Sequence, residues 1–249
     1  MKHSCRLVLA CASLVAVLAP ALGNPLSAGA SKSKSQGTRV SIRVEGMHST
    51  LLPETVLLAK AQSIDPDGKP ADTCEGDTAA AALQQATKGH WKAGAYYSGL
   101  GYSVEGLFGE SYSFSSDYYW SFWIDGKVAS AGICGATLHA GEQLLFFPQC
   151  SKESAEQCPE GLFDPPVLQV NGPKRARVGN TIVVRVTSLD NLTGKPSPAA
   201  EVKLRLGKQT VTTNAAGKAR VRLTKVGKAH ILASAPGAIR DELAVSVRR

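Results

Sequence analysis

"DYYWSFWIDGK", residues 117–127, decides how the first half of this chain is read. The sequence holds fifteen Phe, Trp and Tyr residues, and five of them lie between Tyr118 and Trp123. Asp125-Gly126 is a two-residue hairpin signal, because both positions tolerate the positive φ that a tight strand turn needs. The spacing therefore predicts a strand over 118–124 that pairs with residues 127–133. On such a strand Tyr118, Trp120, Phe122 and Ile124 point one way, and Tyr119, Ser121 and Trp123 the other. The first set is continuous and ends in an aliphatic residue, so it should face a core. Tyr119 and Trp123 then flank the small Ser121 on the far face. They either stack a flat ligand or a sugar ring, or are covered by the rings of the glycine-rich stretch at 95–109. Covered packing is the favoured reading.

The neighbouring segments complete a sheet. "TRVSIRVEG" from Thr38 alternates, with Val40, Ile42 and Val44 on one face, and "ETVLLAKAQSI" reads as its antiparallel return. "CEGDTAAAALQQATKG" changes period. Asp77 or Thr78 can cap a helix there, the alanines favour it and Gly89 can end it. "AYYSGLGYSVEGLFG" is poorly periodic, an irregular strand pair or a long loop. "EQLLFFPQC" reads as a strand ended by Pro148. The order predicts an α+β fold with one helix across a sheet, a β-grasp-like ββαβββ domain at 38–164.

The N-terminus carries a different signal. Lys2 and Arg6 precede the apolar run "LVLACASLVAVLAPALG", and small residues follow, with candidate cleavage after Gly23 or Ala30. That layout is a secretory signal peptide, assigned to residues 1–30, with a flexible leader at 31–37. The run is short for a membrane span and contains Pro20, so removal is expected rather than a retained anchor. No later segment is apolar enough to cross a bilayer. The expected location is secreted or extracytoplasmic, with association to the cell envelope. Four cysteines remain after export: Cys74, Cys134, Cys150 and Cys158. In an oxidising compartment an even count reads as two disulfides. Of the three pairings, Cys74–Cys134 and Cys150–Cys158 are favoured. No cysteine or histidine pair has zinc-ligand spacing, so no metal is expected.

Charge separates two halves at the double proline Pro165-Pro166. Residues 38–164 carry eight Lys or Arg against sixteen Asp or Glu, whereas 165–249 carry sixteen against four. A basic half suggests a polyanionic partner, here an anionic envelope polymer, unless it docks on the acidic half; that its basic residues simply fill the solvent face of a small β domain is the favoured reading. From Val167 onward short alternating segments follow one another with turn signals between, the pattern of an all-β sandwich. "AEVKLRLG" sets Lys203 and Arg205 outward, and "GKARVRLT" sets Lys218, Arg220 and Arg222 outward. The five share one face if both strands belong to one sheet, with Asn214 and Gly217 in the turn before the second. They include no aromatics for stacking bases, so no specific nucleic acid is expected.

Two resemblances accompany these patterns. "TNAAGKARVRL" and "GKAHILASAPG" (213–223 and 227–237) resemble the repeated segments of bacterial immunoglobulin-like domains, which implies a spacer, presentation or adhesion module at 165–249. "VSIRVEG", "CEGDTAAAAL", "YWSFWIDGKVASAGIC" and "LHAGEQLLFF" resemble a domain of unknown function found in exported bacterial proteins and shared with the C-terminal lobe of transcobalamin and intrinsic factor. Asp125 stands where that family commonly has Asn, and Glu142 where it has Asp. The helical barrel that holds most of the ligand in a cobalamin carrier has no counterpart here.

No catalytic set is legible. His48, His90, His139 and His230 are scattered, "GYSVEG" is not a nucleophile elbow and no phosphate loop is present. Glu105, Glu110 and Asp117 read as a solvated acidic surface. The sequence thus predicts an exported, non-enzymatic binding or surface-associated protein without cofactor. Its candidate ligand residues are Tyr96, Tyr97, Tyr102, Tyr119 and Trp123. A carrier of a corrinoid-like or sugar ligand, or a hydrolase with an unrecognised site, are the alternatives. Asn191-Leu192-Thr193 is a glycosylation sequon by pattern.

Overall fold

The computed structural model describes residues 37–69 and 72–249. The expected signal peptide and nearly all of the expected leader lie outside the described residues. The region Ser35–Arg249 forms one compact unit.

In the first half, β1 (Thr38–Glu45) and β2 (Thr50–Ala59) make an antiparallel pair. A helix, α1 (Ala79–Ala86), follows, then β3 (Trp91–Tyr97), β4 (Gly101–Leu107) and the short β5 (Glu110–Ser111). The half closes with β6 (Tyr118–Ile124), β7 (Lys127–Val128) and β8 (Gln143–Cys150). One sheet has the order β2-β1-β8-β6-β7, and β3-β4-β5 form a second. The expected α+β β-grasp-like fold is therefore corrected: this half is mostly β. The glycine-rich stretch, which has no clear period in sequence, builds its own antiparallel sheet with two register shifts, and the helix has only eight residues.

Local chemistry explains three further departures. Thr78 occupies the helix N-cap but its side chain makes no capping bond. The orphan N–H groups of Ala79 and Ala80 instead reach the carbonyls of Ala136 and Ile133 at 3.0 and 2.9 Å. Pro148 does not end β8, because the β1 ladder stops at Phe146 and the missing N–H removes no bond on that side. Asp125 and Gly126 do turn the chain, with φ of 51° and 74°, but the return pairs only Lys127 and Val128. Residues 129–136 leave the sheet to meet the helix N-terminus.

The two cysteine pairs are bonded as Cys74–Cys134, 60 residues apart, and Cys150–Cys158, 8 apart. The long crosslink ties the segment before α1 to the segment after β7. The short one closes the loop leading to the double proline.

The second half is a two-sheet β-sandwich, compatible with the immunoglobulin-like expectation. Its strands are β9 (Val167–Asn171), β10 (Arg175–Arg177), β11 (Thr181–Leu189), β12 (Pro196–Pro198), β13 (Lys203–Leu206), β14 (Gln209–Thr212), β15 (Lys218–Arg222), β16 (Gly227–Ser234) and β17 (Asp241–Arg248). One sheet has the order β10-β17-β16-β13-β14; the other is built on β11, which pairs β9, β12 and β15. Val184, Val186, Leu204, Val221, Ile231, Leu243 and Val245 interdigitate between the sheets. The Asn214–Gly217 turn carries the chain from one sheet to the other, so β14 and β15 do not pair.

The halves keep separate cores but share a junction. Val40, Ile42 and Val44 of β1, with Leu144 and Phe146 of β8 and Trp120 of β6, pack toward α1 and β4. The opposite face of the same sheet presents Trp123, Leu145 and Phe147, which pack on Val167, Leu189 and Ile239 of the second half. Trp123 is fully buried, its ring centroid 5.1 Å from that of Phe147. Beside this cluster runs an ion network. Arg240 Nε donates to Glu45 Oε2 at 2.8 Å and Arg43 Nη1 to the Arg240 carbonyl at 2.8 Å. Arg43 also pairs with Asp241, whose second oxygen accepts from Val170 N at 2.6 Å. Glu45 is only 2% exposed. Burial raises its pKa above the ordinary carboxylate value, against the opposing pull of Arg43 and Arg240.

Candidate functional site

Two surfaces stand out. The first is an aromatic recess of about 200 Å³ beside β6, where β7 has ended. Its walls come from the β3–β4 turn (Tyr97, Leu100, Tyr102), from Phe114, and from Tyr119, Trp120 and Phe122 of β6. Ala131, Gly132 and Ile133 close the far side. Phe114 stacks on Tyr119 with centroids 4.9 Å apart, and Tyr97 meets Phe114 edge-on at 6.3 Å. Phe114 is nonetheless 59% exposed, and Tyr97, Leu100 and Val128 are exposed as well.

Backbone approach builds this site. A Cβ on Gly132 would strike the Leu100 carbonyl, and one on Gly101, whose φ is +89°, would strike Cys134 Sγ. The disulfide end therefore sits directly against the turn that carries Tyr97 and Leu100. Tyr102 is fixed from the other side: its hydroxyl donates to Asp67 Oδ1 at 2.7 Å. That bond, ahead of the Lys69 contacts, holds the Asp67 carboxyl at about 2, and burial followed by Asp67 pushes the Tyr102 phenol up. Burial likewise raises the Tyr119 phenol.

The five candidate ligand residues thus separate. Tyr97, Tyr102 and Tyr119 line the recess. Tyr96 packs edge-on against Tyr102 at 5.1 Å and belongs to the core. Trp123 is no ligand platform. It lies on the far face, as its register requires, but it is covered by the second half and not by the glycine-rich stretch; its indole donates to Ser121 Oγ at 2.8 Å. Sequence reading passed over Phe114, Leu100 and Val128. No local pattern marks them, because they come from the β3–β4 turn, the β5–β6 connection and the short β7.

The second surface is basic. The five outward Lys and Arg residues do not form one stripe, because β13 and β15 belong to different sheets. Lys203 and Arg205 alternate with Leu204 on one outer face; Lys218, Arg220 and Arg222 alternate with Ala219 and Val221 on the other. Each group gains neighbours the sequence did not reveal. On the β15 side Arg185 stands opposite Lys218. On the β13 side Arg175 and Lys228 flank Ser246 across three adjacent strands, and Arg177 stands opposite Arg248. Adjacent strands are about 4.8 Å apart and same-face neighbours about 6.8 Å along a strand, so these four cations share one corner. Among the described residues none of the named strand cations in either group is within ion-pair distance of a carboxylate. Three of the four acids of this half are engaged elsewhere, Asp241 with Arg43, Glu242 with His230 at 2.6 Å and Asp190 with Thr193 at 2.7 Å, and the fourth, Glu201, is exposed. Asn191 of the sequon donates to the Asp164 carbonyl at 3.3 Å, within the junction.

A polar cleft of about 290 Å³ also opens at the junction, bordered by Arg43, Gln143, Gln169, Lys174 and Asp241. Of its five charged residues, Arg43 and Asp241 belong to the ion network, and Glu54, Lys174 and Glu242 do not. Among the described residues no three His, Cys, Asp or Glu side chains are grouped to hold a metal ion.

No family model matches the chain, and no curated protein matches it. A solved structure of a candidate metal-binding protein from Ruminococcus gnavus aligns with 46% of this chain and 99% of its own, at 14% identity and a TM-score of 0.31. That likeness is too distant to carry either fold or metal binding across. None of these comparisons links the chain to the cobalamin-carrier lobe.

Proposed function

We propose that this chain is an exported, non-catalytic protein that attaches to an anionic polymer of the cell envelope through its second half. One observation carries the reading: Arg175, Arg177, Lys228 and Arg248 converge at one corner of an exposed sheet, and among the described residues no carboxylate pairs with them. A cluster of cations spaced by strand geometry repels itself, and a repeating phosphate or other acidic polymer relieves that repulsion while releasing its own counterions. The sandwich is the attachment and spacer module, and the first half is what it displays. Export is supported by the signal-peptide layout of the N-terminus and by two disulfides. Among the described residues no helix is long and apolar enough to cross a membrane. The resemblance of the first half to exported relatives of the cobalamin-carrier lobe belongs to the same reading.

The test is titration of the full chain with soluble polyphosphate at low salt. Arg175→Ser, Arg177→Ser, Lys228→Ser and Arg248→Ser together should weaken binding by about tenfold or more, since each lost phosphate contact removes a counterion-release contribution. No binding by the unaltered chain at low salt would remove the attachment reading.

A further inference from the structure

The attachment corner holds only one of the two cationic groups on the sandwich. The other lies on the outer face of the opposite sheet. There Lys218, Arg220 and Arg222 of β15 are exposed, and so is Arg185 of the neighbouring β11. The register sets Arg185 directly opposite Lys218, Val183 opposite Arg220 and Thr181 opposite Arg222. Like charges directly opposite one another destabilise a ladder. β15 lies at the edge of its sheet, and charge on an edge strand blocks unwanted pairing. Edge protection accounts for the three β15 cations but not for Arg185, because β11 is flanked by strands on both sides.

One short turn stitches the two groups together. Residues 177–180 lead from β10 to β11. Val178 N donates to the Arg248 carbonyl at 2.8 Å, and Gly179 N to the Leu223 carbonyl at 2.7 Å. Leu223 N donates back to the Asn180 carbonyl at 2.9 Å. Arg177 and Arg248 on one outer face are thereby tied to Arg222 on the other. Nothing lies within 4 Å of where a Cβ on Gly179 would stand, so this part of the turn is open. The crossing also meets no negative charge of its own. The four acids of this half are Asp190, Glu201, Asp241 and Glu242, and none falls in 174–189 or 218–230, two stretches that hold nine Lys and Arg residues.

We propose that these cations form one belt, and that a flexible, linear phosphate polymer follows it over the end of the sandwich. It runs from Arg175 and Lys228 on one face to Arg185 and Lys218 on the other. The belt presupposes the attachment reading and specifies its ligand. Strand rise gives about 7 Å of path along β10 and about 13 Å along β15, with about 10 Å between the sheets, roughly 30 Å in all. The two outer faces point in opposite directions. A flat anionic surface such as a bilayer therefore meets only one of them, and so does a stiff rod. A flexible chain reaches both, and its second contact is intramolecular once the first has formed.

The probes are tripolyphosphate, too short to reach both faces, and long-chain polyphosphate, each titrated against the full chain at several salt concentrations. Arg185→Ser, Lys218→Ser, Arg220→Ser and Arg222→Ser are combined in one variant, all at exposed positions. The variant should weaken long-chain polyphosphate by about tenfold or more and flatten its salt slope by up to about one per lost contact. Tripolyphosphate should change by no more than about twofold, since the opposite corner still takes it. Asn180→Glu sets a carboxylate on the crossing and should likewise weaken only the long chain. Unchanged long-chain affinity in the four-site variant, an equal loss for both probes, or no effect of Asn180→Glu would each overturn the belt. If that happens while loss of Arg175, Arg177, Lys228 and Arg248 still weakens binding, the belt fails and the attachment reading stands. If the unaltered chain binds neither probe, both fail.

Discussion

Replacing Trp123 by Ala tests whether the two halves are held by the junction described above. The side chain is fully buried among residues of both halves, Leu145 and Phe147 on one side and Val167, Leu189 and Ile239 on the other. Trp→Ala in such a place loses about 3–5 kcal/mol, combining the lost transfer energy with the cavity left behind. Its indole bond to Ser121 also goes, which leaves a buried hydroxyl and adds roughly 1 kcal/mol. The expected loss is therefore about 4–6 kcal/mol, a large part of the roughly 5–15 kcal/mol stability of an ordinary domain. The loss falls on the junction and not on either main core. Urea unfolding followed by far-ultraviolet circular dichroism and by fluorescence reads this directly. The remaining Trp91 and Trp120 both lie in the first half, so fluorescence reports that half while dichroism reports both. The unaltered chain should unfold with coincident transitions, and Trp123→Ala should separate them. A loss under about 1 kcal/mol, or transitions that stay coincident, would refute a shared junction.

The other expectations follow from the same contacts. Arg240→Met removes one partner of a carboxylate that is 2% exposed and should cost about 2–4 kcal/mol by denaturant unfolding, less than a fully stranded charge because Arg43 remains. Glu45 has a raised folded pKa, so its contribution is fully present below its unfolded value and is lost as pH rises through the folded one; Arg240→Met should push that folded value higher still, as read by carboxyl-carbon NMR titration. Asp67 runs the other way. Its folded value of about 2 lies below the ordinary 3.8, so its contribution is present above the ordinary value and is lost as pH falls through about 2. Tyr102→Phe removes the largest cause and should return the Asp67 titration toward 3.8. For the crosslinks, which span 60 and 8 residues, chain entropy predicts losses of about 4 kcal/mol for Cys74→Ser with Cys134→Ser and about 2.5 kcal/mol for Cys150→Ser with Cys158→Ser, measured by thermal or urea unfolding.

Strand positions were legible because period-two alternation is strong at Val40, Ile42 and Val44 and at Ile182, Val184 and Val186. The faces of β6 were legible for the same reason. Partners across space were not. In "YYSGLGYSVEGLFG" the sequence left an irregular strand pair and a loop both open, since its glycines allow the bulges that interrupt its period. Lys203 and Lys218 look like one stripe because alternation reports inside and outside but does not say which sheet a strand joins. The junction left one signal in the sequence. Arg43 and Glu45 alternate with the apolar Val40, Ile42 and Val44, and opposite charges two residues apart on one face suit a buried partner as well as they suit water. Arg240-Asp241 supplies that partner almost 200 residues on, beyond any local pattern. The aromatic recess was half legible: its tyrosines drew attention by density, whereas Phe114 and Leu100 are brought in by turns.

The most direct measurement of the attachment account is the salt dependence of polyphosphate affinity for the full chain and for the variant lacking Arg175, Arg177, Lys228 and Arg248. The account predicts that log affinity falls linearly with log salt, and that the variant's slope is shallower by an amount approaching about one per lost phosphate contact. Identical slopes for the two proteins, or affinity indifferent to salt, would contradict it.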